Sequence, residues 1–176
     1  MKMRDAALTA ILVMALATGA SAKEGGKTVE ATLDYGTEAF DGLGGQIGVT
    51  AGFGYELPSN FQGRVDVSYF RSSTTVDDMN VTGTRVPVDV GIRYLYPVRQ
   101  LDPNLVTYGQ GALEVSFDHW TAAAGFPSES ATRVGAVIGA GAEYALDQQW
   151  GALLNLQYHI IEDSYFTTGI GMAYHF

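Results

Sequence analysis

The sequence predicts an all-β fold, an eight-stranded antiparallel up-and-down transmembrane β-barrel with short periplasmic turns and longer extracellular loops. Three observations carry this expectation. Apolar residues alternate with small or polar ones over eight stretches, a short apolar leader opens the chain, and the last stretch stops on an aromatic residue, Phe176. Successive side chains of a strand point to opposite faces, so alternation over many residues means two-faced strands.

The leader comes first. Lys2 and Arg4 give a positive start, Ala6 to Ala17 is apolar, and Ala20-Ser21-Ala22 fits a small-x-small cleavage site. Residues 1–22 are therefore expected to be a secretory signal peptide, 23–27 a short periplasmic lead, and 28–176 the barrel domain. The apolar run is too short to cross about 30 Å of hydrocarbon as a helix. The chain has no cysteine, so no disulfide framework staples an exported fold. Its formal charge is −9, and loss of Lys2, Arg4 and Asp5 with the leader makes it −10. Such acidity argues against a nucleic-acid partner, whose electrostatic footprint is basic.

The strands follow in order, each named here by its apolar face. The first gives Val29, Ala31, Leu33 and Tyr35; the second Ile47, Val49, Ala51, Phe53, Tyr55 and Leu57. The third gives Gly63, Val65, Val67 and Tyr69; the fourth Val86, Val88, Val90, Ile92, Tyr94 and Tyr96. The fifth gives Leu105, Thr107, Gly109, Gly111, Leu113, Val115 and Phe117. The sixth gives Val134, Ala136, Ile138, Ala140, Ala142, Tyr144 and Leu146; the seventh Trp150, Ala152, Leu154, Leu156, Tyr158 and Ile160. The eighth gives Phe166, Thr168, Ile170, Met172, Tyr174 and Phe176. None of these positions is charged, although 16% of the chain is. A barrel turned to lipid demands this, because Arg or Lys on its outer face costs roughly 2–4 kcal/mol near the midplane. Pro87 removes a ladder donor from the fourth strand, so a bulge or the true strand start is expected there.

Connector lengths and aromatic placement choose between lipid and a soluble core. Long connections at 36–46, 71–85 and 118–133 alternate with short ones at 58–61 and 147–149. With the first strand running outward, Tyr55, Tyr94, Tyr96, Tyr144, Trp150, Tyr174 and Phe176 form a periplasmic belt. Tyr35, Tyr69, Phe117, Tyr158 and Phe166 form an outer one. Two aromatic belts suit two membrane interfaces.

With these features in place, the chain resembles the small outer-membrane β-barrel proteins of the OmpA-like, OmpX-like and opacity-protein group. The most specific shared element is the closing strand, with Tyr174 two places before Phe176 and apolar Met172 and Ile170 at the alternate positions. The resemblance implies that Ile170, Met172, Tyr174 and Phe176 form an assembly signal. It also implies insertion into the outer membrane of a Gram-negative bacterium by the barrel-assembly machinery, after escort by periplasmic chaperones. Lipids and lipopolysaccharide are the expected surroundings, the expected state is a monomer, and no cofactor is expected.

Candidate chemistry lies on the alternate face. Eleven charges fall there: Glu30, Asp34, Glu56, Arg64, Asp66, Arg85, Asp89, Arg93, Glu114, Arg133 and Glu143. The four arginines are expected to pair with Glu56, Asp66, Asp89, Glu114 and Glu143 in a lumen charge network, helped by Gln110, Asn155 and Gln157. An eight-stranded barrel is just wide enough for side chains to fill it, so a polar plug is favoured over an ion path. His119, with Trp120, Ser128, Glu129 and Ser130, is the residue around which lipid-modifying catalysis would be built, though no His-x-Ser motif accompanies it. Asp77-Asp78 supplies too few oxygens for calcium, and no zinc or dinucleotide motif is present. The expected function is a non-enzymatic barrel serving envelope integrity and surface interaction. The alternatives are a small-conductance channel and an enzyme acting on lipid A.

Overall fold

In the computed structural model the described residues are 25–37, 44–76, 79–98, 101–121 and 128–176. The expected signal segment, the first two residues of the lead and the Asp77-Asp78 pair lie outside them. Eight strands run through the described chain: β1 (Lys27–Gly36), β2 (Gln46–Leu57), β3 (Phe61–Val76), β4 (Met79–Pro97), β5 (Leu105–Thr121), β6 (Glu129–Ala145), β7 (Trp150–Ile160) and β8 (Tyr165–His175). Each pairs antiparallel with its sequence neighbours, and β1 pairs with β8, so the sheet closes on itself. At the closure Lys27 N donates to Phe176 O at 3.1 Å and Phe176 N donates to Lys27 O at 3.0 Å. A closed barrel leaves no edge, which lipid requires because nothing there satisfies free backbone groups.

Side-chain exposure is inverted relative to a soluble protein. Leu33 is 64% exposed, Leu113 71% and Val134 74%, whereas Glu30, Arg93 and Glu114 are almost wholly covered. A soluble domain does not turn its aliphatic side outward along every strand while shutting its charges inside. The apolar faces read from the sequence are the outward faces of the barrel.

Two expectations are corrected. The segments 71–85 and 118–133 are not loops: β3 and β4 form a ribbon to Val76 and Met79, and β5 and β6 reach Thr121 and Glu129. Their sequences are rich in Ser, Thr and charged residues because both faces of these outer ribbons are polar, which hides the strand signal. Pro87 makes neither a bulge nor a start. The β3–β4 register runs from Phe61↔Tyr94 to Val76↔Met79 without a slip, and the ladder lapses only beside Pro87, between Val67↔Val88 and Phe70↔Arg85. On its other side Pro87 keeps its place opposite Ser116 in β5. An antiparallel strand directs each N–H to one neighbour only, so a proline breaks one ladder and spares the other.

The wall is uneven. Strands β3 to β6 have 16, 19, 17 and 17 residues, while β1, β2, β7 and β8 have 10, 12, 11 and 11. Pairing with the short strands ends at Ile47↔Arg71 and Ala136↔Ile160, so β3 to β6 continue outward as a four-stranded sheet.

Candidate functional site

The candidate site is the lumen, where the inward positions of all eight strands meet. Large side chains come mainly from β3, β4 and β5, and the room for them comes from small residues elsewhere. The inward face of β2 carries Gly48, Thr50, Gly52 and Gly54, and that of β8 carries Thr167, Gly169, Gly171 and Ala173. A Cβ on Gly52 would meet Asp66 Oδ1 and fall 2.6 Å from Arg64 Nη2, so the wall is bare where that pair lies against it.

At mid-height Glu30 is the hub. Arg64 Nη1 donates to its Oε1 at 2.6 Å and Arg93 Nη1 donates to the same oxygen at 2.7 Å. Arg64 also holds Asp66, with Nη2 donating to Oδ1 at 2.5 Å and Nε to Oδ2 at 3.2 Å. Arg93 lies over the Tyr108 ring, 3.7 Å from its centroid, and gives Nε and Nη2 to Gln110 Oε1 at 3.2 and 3.1 Å. The Tyr108 hydroxyl donates to Asn155 Oδ1. Buried ions are tolerated only when paired and fully hydrogen-bonded, and β1, β3, β4 and β5 together supply partners for four charged groups, Glu30, Arg64, Asp66 and Arg93.

Beside the hub, Asp34 accepts from Thr32 Oγ1 at 3.0 Å and from Thr50 Oγ1 at 2.7 Å. Asp66, Asp89 and Glu114 stand abreast in the register of β3, β4 and β5. Asp89 Oδ1 is buried without a hydrogen-bond partner among the described residues. Toward the outside, His159 Nδ1 lies 2.7 Å from Glu114 Oε2 and His159 Nε2 lies 3.1 Å from Thr167 Oγ1. The imidazole stacks on Tyr165, with centroids 4.1 Å apart and an interplanar angle of 6°. Arg85 sits over the other part of this layer, 4.6 Å from the Tyr165 centroid, and its Nε donates to Asp118 Oδ1 at 2.9 Å. Arg133 closes the outer end: its Nε is 3.4 Å from Asp118 Oδ2, it donates to Asp163, and it lies 5.6 Å from the Trp120 ring centroid.

The sequence-named groups therefore separate. Arg64, Asp66, Arg85, Asp89, Arg93 and Glu114 are buried together inside the wall, and Arg133 is part-covered at its outer end. Glu143 is half-buried near the other end and meets His175 Nε2 at 2.5 Å instead of an arginine. Glu56 is exposed at the periplasmic mouth, where its carboxyl faces Gly26, and so stands outside the buried network. Sequence reasoning missed Glu30 as a hub and Asp118 as a partner, the first because pairing crosses the lumen, the second because its strand looked like a loop. It also missed Phe70, Tyr108, Val137, Leu153, Ile161 and Tyr165, which make the lumen partly apolar and aromatic. Inward parity was the available signal for Phe70, Tyr108 and Val137, which share the phase of the charges, and for Leu153, which shares that of Asn155 and Gln157; Ile161 and Tyr165 fell in what read as a connection.

A void lined by Glu30, Asp34, Arg64, Asn155 and Gln157 measures about 10 Å³, the room of a single water. On the outside, His119 Nδ1 lies 2.8 Å from Ser130 Oγ and its Nε2 lies 3.4 Å from Thr121 Oγ1, neither of them a carboxylate. Among the described residues no group of three or more His, Cys, Asp or Glu is placed to hold a metal ion.

All twelve belt aromatics face outward; eleven are exposed and Tyr174 is part-covered. Tyr174 lies between Trp150 and Phe176, with ring centroids 4.9 and 6.0 Å away, and Ile170 and Met172 continue the same outward face. Phe61, which sequence reasoning assigned to a turn, joins the periplasmic belt against Tyr94 at 5.1 Å.

Comparison with known proteins agrees with this architecture. The barrel is similar to Ail, the attachment invasion locus protein of Yersinia pestis, solved in complex with the heparin analogue sucrose octasulfate. The TM-score is 0.61 at 15% identity, over 88% of this chain and 100% of that one. It is similar to Neisserial surface protein A, with TM-score 0.59 and 12% identity over 89% and 100% of the two chains. It also resembles the N-terminal β-barrel domain of Pseudomonas aeruginosa OprF, with TM-score 0.53 and 19% identity over 87% and 100%. No curated protein matches the sequence. Residues 6–176 match the family described as outer membrane protein beta-barrel domain. The chain belongs to that family of outer-membrane β-barrels, and its place is the outer membrane of a Gram-negative bacterium.

Proposed function

We propose that this protein is a closed, non-conducting barrel that strengthens the envelope and works through its outer surface. The observation that carries the reading is the hub: Glu30 joins Arg64 from β3 to Arg93 from β4 across the lumen, at 2.6 and 2.7 Å. Opening an ion path past it would strip partners from buried charges, at about 3–5 kcal/mol for each broken pair. Planar-bilayer recording of refolded protein tests this. The expected record has no steady unitary current; steady currents abolished by Arg93→Ala would show that the network conducts.

The surface role rests on the four-stranded extension of β3 to β6. Ail was solved with a polysulfated ligand, but the outer segments here carry Glu129, Glu162 and Asp163 against Arg71 and Arg133. Charge complementarity therefore favours an uncharged or basic surface partner over a polyanion. The closing strand, through Ile170, Met172, Tyr174 and Phe176, serves as the signal for the barrel-assembly machinery after chaperone escort. Detergent sensitivity of cells lacking the protein separates the two roles. Rescue by a variant with a shortened β3–β4 ribbon points to the envelope role alone, and failure of that variant points to the extension.

A further inference from the structure

Above the outer aromatic belt the wall of β3 to β6 changes chemistry without changing face. Toward the outside, the outward series of β3 runs Tyr69, Arg71, Ser73, and that of β5 runs Phe117, His119, Thr121. On β4 it runs Val86, Thr84, Thr82, and on β6 it runs Val134, Thr132, Ser130. The register sets these residues side by side. Arg71 lies opposite Thr84, Thr84 opposite His119, and His119 opposite Ser130. One step further out, Ser73 lies opposite Thr82 and Thr82 opposite Thr121. Neighbouring strands are about 4.8 Å apart, so the first row is roughly 14 Å wide. Arg71, Ser73, Thr121, Ser130 and Thr132 are exposed, while Thr82, Thr84 and His119 are part-covered. His119 ties the rows together, with Nδ1 2.8 Å from Ser130 Oγ and Nε2 3.4 Å from Thr121 Oγ1.

The sheet also separates its charges. Asp118 and Glu129 have the opposite parity, as do Arg85 and Arg133, and Glu162 and Asp163 stand on the β7–β8 turn. Among the described residues the two outward rows hold no carboxylate, on a chain whose formal charge is −9, and Arg71 gives them a cation. The groups that disfavour a polyanion elsewhere on the outer segments are therefore missing from this face.

A hydroxyl both donates and accepts, so rows of hydroxyls match a ligand whose own polar groups are hydroxyls. A guanidinium matches a phosphate. The rows carry no large apolar side chain, the usual anchor of a protein interface. Because they continue the lipid-facing wall past Tyr69 and Phe117, their neighbour is the layer just outside the outer-leaflet acyl chains. We infer that this face binds one lipopolysaccharide molecule of its own leaflet through the sugar–phosphate region. A phosphate meets Arg71, and sugar hydroxyls lie over Thr84, His119, Thr82 and Thr121. Strands β1, β2, β7 and β8 end at or next to the belt, so the contact belongs to the side of β3 to β6. The inference rests on the membrane-barrel assignment and not on a partner beyond the cell.

Native mass spectrometry of the full-length barrel, refolded in mild detergent with one added lipid at a time, tests this. The probes are lipid A carrying its inner-core sugars, lipid A alone, and phosphatidylglycerol. The expected result is retention of one core-bearing molecule, severalfold above lipid A alone and further above phosphatidylglycerol. Arg71→Gln should lower retention of both lipid A forms roughly fivefold, as loss of one cation beside an anionic headgroup does. Joint replacement Thr82→Val, Thr84→Val and Thr121→Val removes hydroxyls at nearly constant shape. It should bring the core-bearing form down to the level of lipid A alone. A heat-modifiability gel confirms that each variant is a folded barrel, which keeps failure of the site apart from failure of the fold. Equal retention of the two lipid A forms by the unaltered protein overturns the proposal, as does a sugar advantage that survives the three valines. Phosphatidylglycerol retained as well as the core-bearing form also overturns it and would reduce the face to a single charge.

Discussion

At the scale of single residues the lumen is governed by pairing across strands that are far apart in sequence. Glu30 on β1 serves arginines from β3 and β4, and its loss leaves Arg93 without its carboxylate and Arg64 with Asp66 alone in a closed interior. Glu30→Ala is expected to cost about 3–5 kcal/mol, measured by reversible urea unfolding in a lipid or detergent system. An unchanged midpoint would show that Arg64 and Arg93 re-pair without it. Parity placed Glu30 inside, but alternation gives the face of a residue and not its partner, so only the closed geometry names the hub. A second prediction concerns the β6–β7 turn. Backbone N–H groups of Gln149 and Trp150 donate to Asp147 Oδ1 at 2.7 and 2.8 Å and hold its carboxyl below the usual aspartate range. A carboxyl with a lowered folded-state pKa stabilises above its ordinary value of 3.8 and loses that effect as pH falls through the lowered one. Amide-exchange protection at Gln149 and Trp150 should therefore fall on acidification in that window. In Asp147→Asn that pH dependence should vanish.

At the scale of elements, what was legible in the sequence depended on what each strand faces. Strands β1, β2, β7 and β8 stand almost wholly in lipid, so their apolar alternation runs nearly end to end and their bounds were readable. Strands β3 to β6 leave the membrane part-way, and beyond Tyr69 or before Val86 there is no apolar face to read. Pro87 misled for a related reason: a ladder donor is lost, yet the cost falls on one side of β4 only. The closing strand yields its own prediction. Phe176 adds a backbone pair with Lys27 and a ring beside Tyr174, a modest share of a long ladder. Deleting it is expected to lower outer-membrane levels in cells severalfold while shifting the urea midpoint of refolded protein only slightly. Normal levels of the truncated chain in the outer membrane would remove Phe176 from the assembly signal.

At the scale of the whole molecule, a closed ladder around a paired interior is a single cooperative unit. Unheated samples on a denaturing gel are expected to migrate apart from boiled ones, and a single band in both would contradict a closed barrel. The uneven wall adds a consequence of another kind. A barrel of equal strands would be indifferent to rotation about its axis, but this one has a high side, β3 to β6, and a low side at β7, β8, β1 and β2. Among the described residues, bulky neighbours approaching above the membrane meet a taller sheet on the high side and shorter strands on the other. In a crowded membrane such a molecule acquires a heading, and its low flank is the one left for close company. Cysteine cross-linking in densely packed vesicles reads this directly: reporters on the outer ends of β1 and β8 should capture neighbours more often than reporters at the same height on β4 and β5.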